Sequence, residues 1–133
     1  MRKLVYAVVF WAICVGGALA QGAEIKGTIS QQFEAFKADD FASAFAFASP
    51  TLQQFFRTPE NFGRMVTQGY PMVWRPADIR FLDLSDEDGV YRQKVLVRDA
   101  GGASHVLEYQ MQETPEGWRI NGVQILKDPG ASA

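Results

Sequence analysis

Residues 90–112, VYRQKVLVRDAGGASHVLEYQMQ, decide the fold. Val90 to Asp99 reads as one long strand with Tyr91, Gln93, Val95 and Val97 on one face. Ala100-Gly101-Gly102-Ala103 turns the chain. His105, Leu107, Tyr109 and Met111 then alternate with Val106, Glu108, Gln110 and Gln112. Two such runs joined by a short turn make antiparallel neighbours. The pattern extends both ways. Ile79 to Leu84 is a strand, and Ser85 to Gly89 is a polar turn. Thr114-Pro115-Glu116-Gly117 places Pro and Gly where a tight turn favours them. Trp118 to Leu126 is the last strand, and its apolar parity slips from Trp118 and Ile120 to Val123 and Ile125. Gly122 is the expected bulge. Residues 72–76 read as extended. One face of each strand is polar, so one side of the sheet meets water and the other needs a cover.

The first half of the chain supplies that cover. From Glu24 to Lys37, Ile25, Ile29, Phe33 and Phe36 draw one helical stripe, with Gly27 weakening its start by about 1 kcal/mol. Asp39 and Asp40 can cap a second helix, striped by Phe41, Ala44, Phe45 and Ala48. Ser49-Pro50 restarts the chain for a short turn carrying Leu52, Phe55 and Phe56. Thr58-Pro59-Glu60 repeats the start signal for a helix striped by Phe62, Met65 and Val66, with Gly69 placed for a left-handed cap. The expected class is α+β: three N-terminal helices packed on a curved antiparallel four-stranded sheet. Residues 21–126 form the single domain, and 127–133 form a flexible tail.

Residues 1–20 have another reading. Met1-Arg2-Lys3 is positive, the next stretch is apolar over about 16 residues, and Ala18-Leu19-Ala20 is a small-residue cleavage site. This is the layout of a secretory signal peptide cut after Ala20. The apolar run falls short of the ~20 residues that span a bilayer. An uncleaved anchor is the alternative, and Ile13 and Trp11 stand where a lipid-modified Cys14 would want a small residue and Leu. The expected location is periplasmic or secreted, with no stable membrane anchor after cleavage.

Cleavage changes what chemistry remains. Cys14 is the only cysteine, so the mature domain has no disulfide, thiolate metal site or cysteine nucleophile. Loss of Arg2 and Lys3 takes the 13 basic residues to 11 against 15 acidic, moving the net charge from −2 to −4. That balance argues against nucleic acid as a partner. No Gly-rich phosphate loop, Ser elbow or His-rich metal motif is present, so neither a cofactor nor a metal is expected.

Eight phenylalanines lie between Phe33 and Phe62. They either fill the space between helices and sheet or line a pocket for an apolar ligand there. Tyr70, Trp74, Tyr91, Gln93, His105 and Tyr109 are the candidate ligand-binding residues. His105, the lone histidine, either faces the covered side of the sheet or sits at its rim. It makes no metal cluster alone. Asp83 can be aimed inward by parity, but its place beside a polar turn favours exposure.

Three helices followed by a strand meander ending in Gly117-Trp118-Arg119-Ile120-Asn121-Gly122-Val123 resembles the nuclear transport factor 2-like superfamily of cone-shaped α+β domains. More narrowly, Ala44-Phe45-Ala46-Phe47-Ala48-Ser49-Pro50, Thr58-Pro59-Glu60-Asn61-Phe62, Met65-Val66 and Gly69-Tyr70 look like the bacterial exported family known as domain of unknown function 4864. The resemblance covers residues 25–126 and implies a fold with a cavity. The superfamily includes isomerases, dehydratases and members with only binding roles, and no catalytic residue carries over. Three functions follow as expectations. The first is a non-catalytic domain holding a small apolar ligand, with a homodimer through the sheet as a further expectation. The second is an acid–base isomerase or dehydratase-like enzyme using His105 or Asp83 beside Tyr91 and Tyr109. The third is a structural or accessory partner of an envelope protein.

Overall fold

The computed structural model describes the backbone of residues 2–127 and the side chains of residues 20–126. The expected leader, save Ala20, and the expected tail lie outside the described side chains. The elements run α1 (Arg2–Lys37), α2 (Phe41–Ala46), α3 (Pro50–Phe56), α4 (Pro59–Gly69), α5 (Pro71–Trp74), then β1 (Pro76–Glu87), β2 (Val90–Asp99), β3 (Ser104–Thr114) and β4 (Gly117–Lys127). The sheet is an open antiparallel meander in the order β1-β2-β3-β4.

The described helices number five, not the expected three. Three of their starts follow the caps read in the sequence. Asp40 accepts from the Ser43 amide at 3.1 Å, Ser49 from that of Leu52 at 3.2 Å, and Thr58 from that of Asn61 at 3.1 Å. Each satisfies an amide that a helix start leaves unpaired. The additional turn is α5, where residues 72–76 were expected to be extended. Pro71 fixes a helical φ at the first position, the Arg75 amide donates to the Pro71 carbonyl at 3.0 Å, and Met72 and Val73 are buried. Gly69 ends α4 without a left-handed cap. The Tyr70 amide closes the last turn on the Val66 carbonyl at 2.8 Å, and Pro71 prevents continuation.

Among the described residues, Asp39, Arg57 and Asp88 have positive φ, and Arg57 lies furthest from the ordinary left-handed region. Arg57, after α3, has φ 74° and ψ −45°, and the Thr58 amide donates to the Phe56 carbonyl at 2.9 Å across it. This three-residue turn is a rare and strained form. Such strain costs on the order of 1–3 kcal/mol, and glycine relieves it at an entropic cost of about 0.5–1 kcal/mol. Arg57→Gly is therefore expected to raise stability by about 1 kcal/mol in urea denaturation. A loss would mean that the Arg57 side chain contributes more than its backbone costs.

The strand parities hold. Val95 and Val97 on β2, Leu107, Tyr109 and Met111 on β3, and Trp118 and Ile120 on β4 are buried against Ile25, Ile29, Phe33 and Phe36 of α1. In β4 the register skips from Ile120, opposite Met111, to Gly122, opposite Gln110. The extra residue is thus Asn121, one place before the glycine expected to carry the bulge. A second irregularity falls in β1 between Phe81 and Leu84. The β4 edge is partly covered: Phe47 to Ser49 runs parallel to it, with the Ser49 amide donating to the Ile120 carbonyl and the Ile120 amide to that of Phe47, both at 2.8 Å. Long-range side-chain bonds tie the helical half to β4, two of them near its start. Thr28 Oγ1 donates to the Trp118 carbonyl at 3.2 Å, and Ser49 Oγ to Asn121 Oδ1 at 2.7 Å.

Candidate functional site

A cavity of about 250 Å³ lies between the helices and the sheet. Phe36 of α1 and Phe62, Met65 and Val66 of α4 form one wall; Tyr109, Ile120 and Val123 of the sheet form another. Leu52 and Phe56 close it from α3, an element with no fully buried residue. The aromatic walls brace one another. Phe36 and Phe62 stack with centroids 5.9 Å apart, and Phe56 meets Phe62 edge-on at 5.6 Å. Such pairs add about 0.5–1.5 kcal/mol beyond burial.

The cavity's polar groups are few. Tyr109 is fully buried, and its hydroxyl has no hydrogen-bond partner among the described residues. Burial, with a smaller contribution from nearby Tyr70, raises its pKa far above the ordinary phenol value, so it remains a neutral O–H donor. An unpaired buried hydroxyl of this kind costs on the order of 1–3 kcal/mol. Tyr70 Oη already donates to the Val123 carbonyl at 3.2 Å, and Gln32 Nε2 donates to that of Ala44 at 3.1 Å. None of the described residues lining the cavity is charged.

The six candidates from sequence separate into five places. Tyr70 and Tyr109 meet at the cavity. Trp74 lies elsewhere: its Nε1 donates to Asp39 Oδ1 at 2.9 Å, and the Arg75 guanidinium sits 4.3 Å from its ring centre. Asp39 therefore serves this cluster, while Asp40 alone caps α2. Tyr91 donates to Gln21 Oε1 at 3.1 Å and meets Trp118 edge-on at 5.1 Å. Gln93 is fully buried under the β1 irregularity, where Nε2 donates to the carbonyls of Leu82 and Lys94, each at 2.9 Å.

His105 sits with Asp99 at the β2–β3 turn. Its Nε2 lies 2.9 Å from Asp99 Oδ2, while Asp99 Oδ1 accepts from the amides of Gly101 at 3.0 Å and Ala103 at 2.9 Å. The His105 hydrogen bond, then the Ala103 amide, holds the Asp99 pKa below its ordinary value. The histidine is buried but does not line the cavity. The pair is a clasp on the turn. A carboxyl whose folded pKa is depressed stabilises the fold above its unfolded pKa of about 4, and that contribution is lost as pH falls through the folded value. The stability advantage of the natural protein over Asp99→Asn, read as a difference in melting temperature, is expected at neutral pH and to shrink towards pH ~3. A difference constant across that range would remove charge from the clasp.

Sequence reasoning offered the phenylalanines, Phe36, Phe56 and Phe62 among them, as possible pocket lining, but it missed Gln32 of α1 and Leu52 of α3. Gln32 stands one residue off the α1 stripe, and no spacing marks it; Leu52 and Phe56 belong to a turn too short for periodicity to orient. Asp83 is exposed. Among the described residues no cluster of His, Asp or Glu could hold a metal, and no helix is long and apolar enough to cross a membrane. The model of one family, described as domain of unknown function (DUF4864), matches residues 18–133. No curated protein matches the chain.

Proposed function

The chain belongs to the DUF4864 family, and from that premise we propose that it is an exported, non-catalytic domain that holds one small apolar ligand between its helices and its sheet. The observation that carries this reading is the buried hydroxyl of Tyr109, unpaired among the described residues, in a cavity whose other polar side chains, Gln32 and Tyr70, are hydrogen-bonded. Buried polar groups are nearly always partnered, and a bound ligand supplies the missing partner. The size agrees. A cavity of about 150 Å³ holds benzene, and drug-sized ligands take about 300 Å³ or more; 250 Å³ lies between them. The helices covering one face of a four-stranded antiparallel sheet support a nuclear transport factor 2-like cone. Met1-Arg2-Lys3, the apolar run and Ala18-Leu19-Ala20 support export. The acid–base alternative has no titratable group at the cavity suited to ordinary pH among the described residues, since Tyr109 is held neutral and His105 lies at the turn.

Tyr109→Phe separates a binding group from a structural one. The substitution removes an unpaired hydroxyl, so the free protein is expected to be as stable as the natural one, or more stable by up to about 1–3 kcal/mol. A ligand at 100 times its dissociation constant should stabilise the natural protein by ~2.7 kcal/mol, and the variant less. Thermal denaturation with and without a panel of small apolar compounds measures both. Destabilisation of the free variant by more than about 1 kcal/mol would assign the hydroxyl a structural bond.

A further inference from the structure

The cavity's chemistry also limits what it can hold, given that it is a binding site as proposed above. No charged side chain lines it among the described residues. An ion entering such a space loses its water and meets no counter-charge, a far larger penalty than a neutral oxygen pays. Carboxylates and ammonium ions are therefore excluded. The neutral polar groups narrow the choice further. Tyr70 has spent its hydrogen on the Val123 carbonyl, and Gln32 Nε2 is engaged by that of Ala44. Tyr109 has one hydrogen and no acceptor among the described residues, and burial keeps that hydrogen in place. The complement of one unpaired donor is one acceptor oxygen. Phe36, Phe56 and Phe62 add flat and edge-on ring surfaces, which suit an aromatic face. We propose that the cavity takes a neutral single-ring molecule carrying one acceptor oxygen, which accepts a hydrogen bond from Tyr109.

Four ring compounds of similar size test this: acetophenone, toluene, benzoate and benzylammonium, titrated calorimetrically into the purified protein at neutral pH. Acetophenone is expected to bind about tenfold more tightly than toluene, the value of one neutral hydrogen bond. Benzoate and benzylammonium should bind at least a hundredfold more weakly than acetophenone. In Tyr109→Phe the preference for acetophenone over toluene should vanish, with toluene unchanged. Leu52→Trp, which fills the cavity from α3, should weaken both. Benzoate or benzylammonium binding as tightly as acetophenone, or a preference that survives in Tyr109→Phe, overturns the ligand class while leaving a binding cavity. Acetophenone binding that Leu52→Trp leaves unchanged places the compound elsewhere and overturns the proposal. If none of the four compounds binds, the cavity reading falls and the ligand class with it.

Discussion

Phe62→Ala is expected to destabilise the protein by about 3–5 kcal/mol, the largest loss among the substitutions considered. Phe62 is nearly fully buried and touches three other rings: Phe36 at 5.9 Å, Phe45 at 5.3 Å and Phe56 at 5.6 Å. Truncation removes the burial of its own ring and the common neighbour of α1, α2 and α3. A domain of this size is stable by only ~5–15 kcal/mol, so the variant should melt roughly 15 °C or more below the natural protein. Phe55→Ala is the internal contrast. That ring is 76% exposed, and its loss should change stability by no more than about 0.5 kcal/mol. Urea denaturation of both variants gives the comparison. Similar losses would mean that the phenylalanines share the load evenly and that Phe62 is no hub.

The second large effect belongs to Gln93→Leu, expected to cost about 2–3 kcal/mol. Leucine matches the shape and keeps the apolar packing. It abandons two carbonyls, those of Leu82 and Lys94, that Gln93 Nε2 now holds. Leu82 lies in the interrupted stretch between Phe81 and Leu84, so the side-chain amide replaces ladder bonds that the irregularity removes. Loss of the unpaired Gln93 Oε1 returns part of the cost, which keeps the figure below that of two orphaned groups. Amide hydrogen exchange should accelerate around Leu82 and Asp83 while the β2–β3 pairing stays protected. Unchanged stability and exchange would show that this stretch of β1 holds its path without the glutamine.

The sheet was legible because its signals are local and redundant. Alternation along β2 and β3, together with two turn sequences, fixes strand direction, face and order before any tertiary contact is considered. The helix starts were legible for the same reason: Asp40, Ser49 and Thr58 each bond an amide three residues on. What failed was set at longer range. α5 spans four residues, too few for a period, and it exists because Met72 and Val73 reach the core. At the site, Tyr109, Gln93 and His105 are all buried, but an inward direction does not say what waits there. Tyr109 meets a cavity wall with no partner for its hydroxyl among the described residues, Gln93 a broken ladder and His105 a carboxylate six residues away. The packing of α1, α3 and α4 makes the first of these surroundings, and no residue's own neighbourhood in sequence encodes that packing.

The bonds from Thr28 to Trp118 and from Ser49 to Asn121 also order events in time. The meander needs only neighbours in sequence, so its hairpins close over short loops and at small entropic cost. The helices lack that freedom. Their partners on β4 lie 90 and 72 residues ahead, so a chain emerging from its N-terminus carries the phenylalanine-rich segment without its sheet until β4 is complete. Long-range closure of this kind slows folding and leaves apolar surface uncovered meanwhile. The final strand thus acts as the keystone of the domain: the helices come first in the chain, and their packing is complete only when β4 is in place.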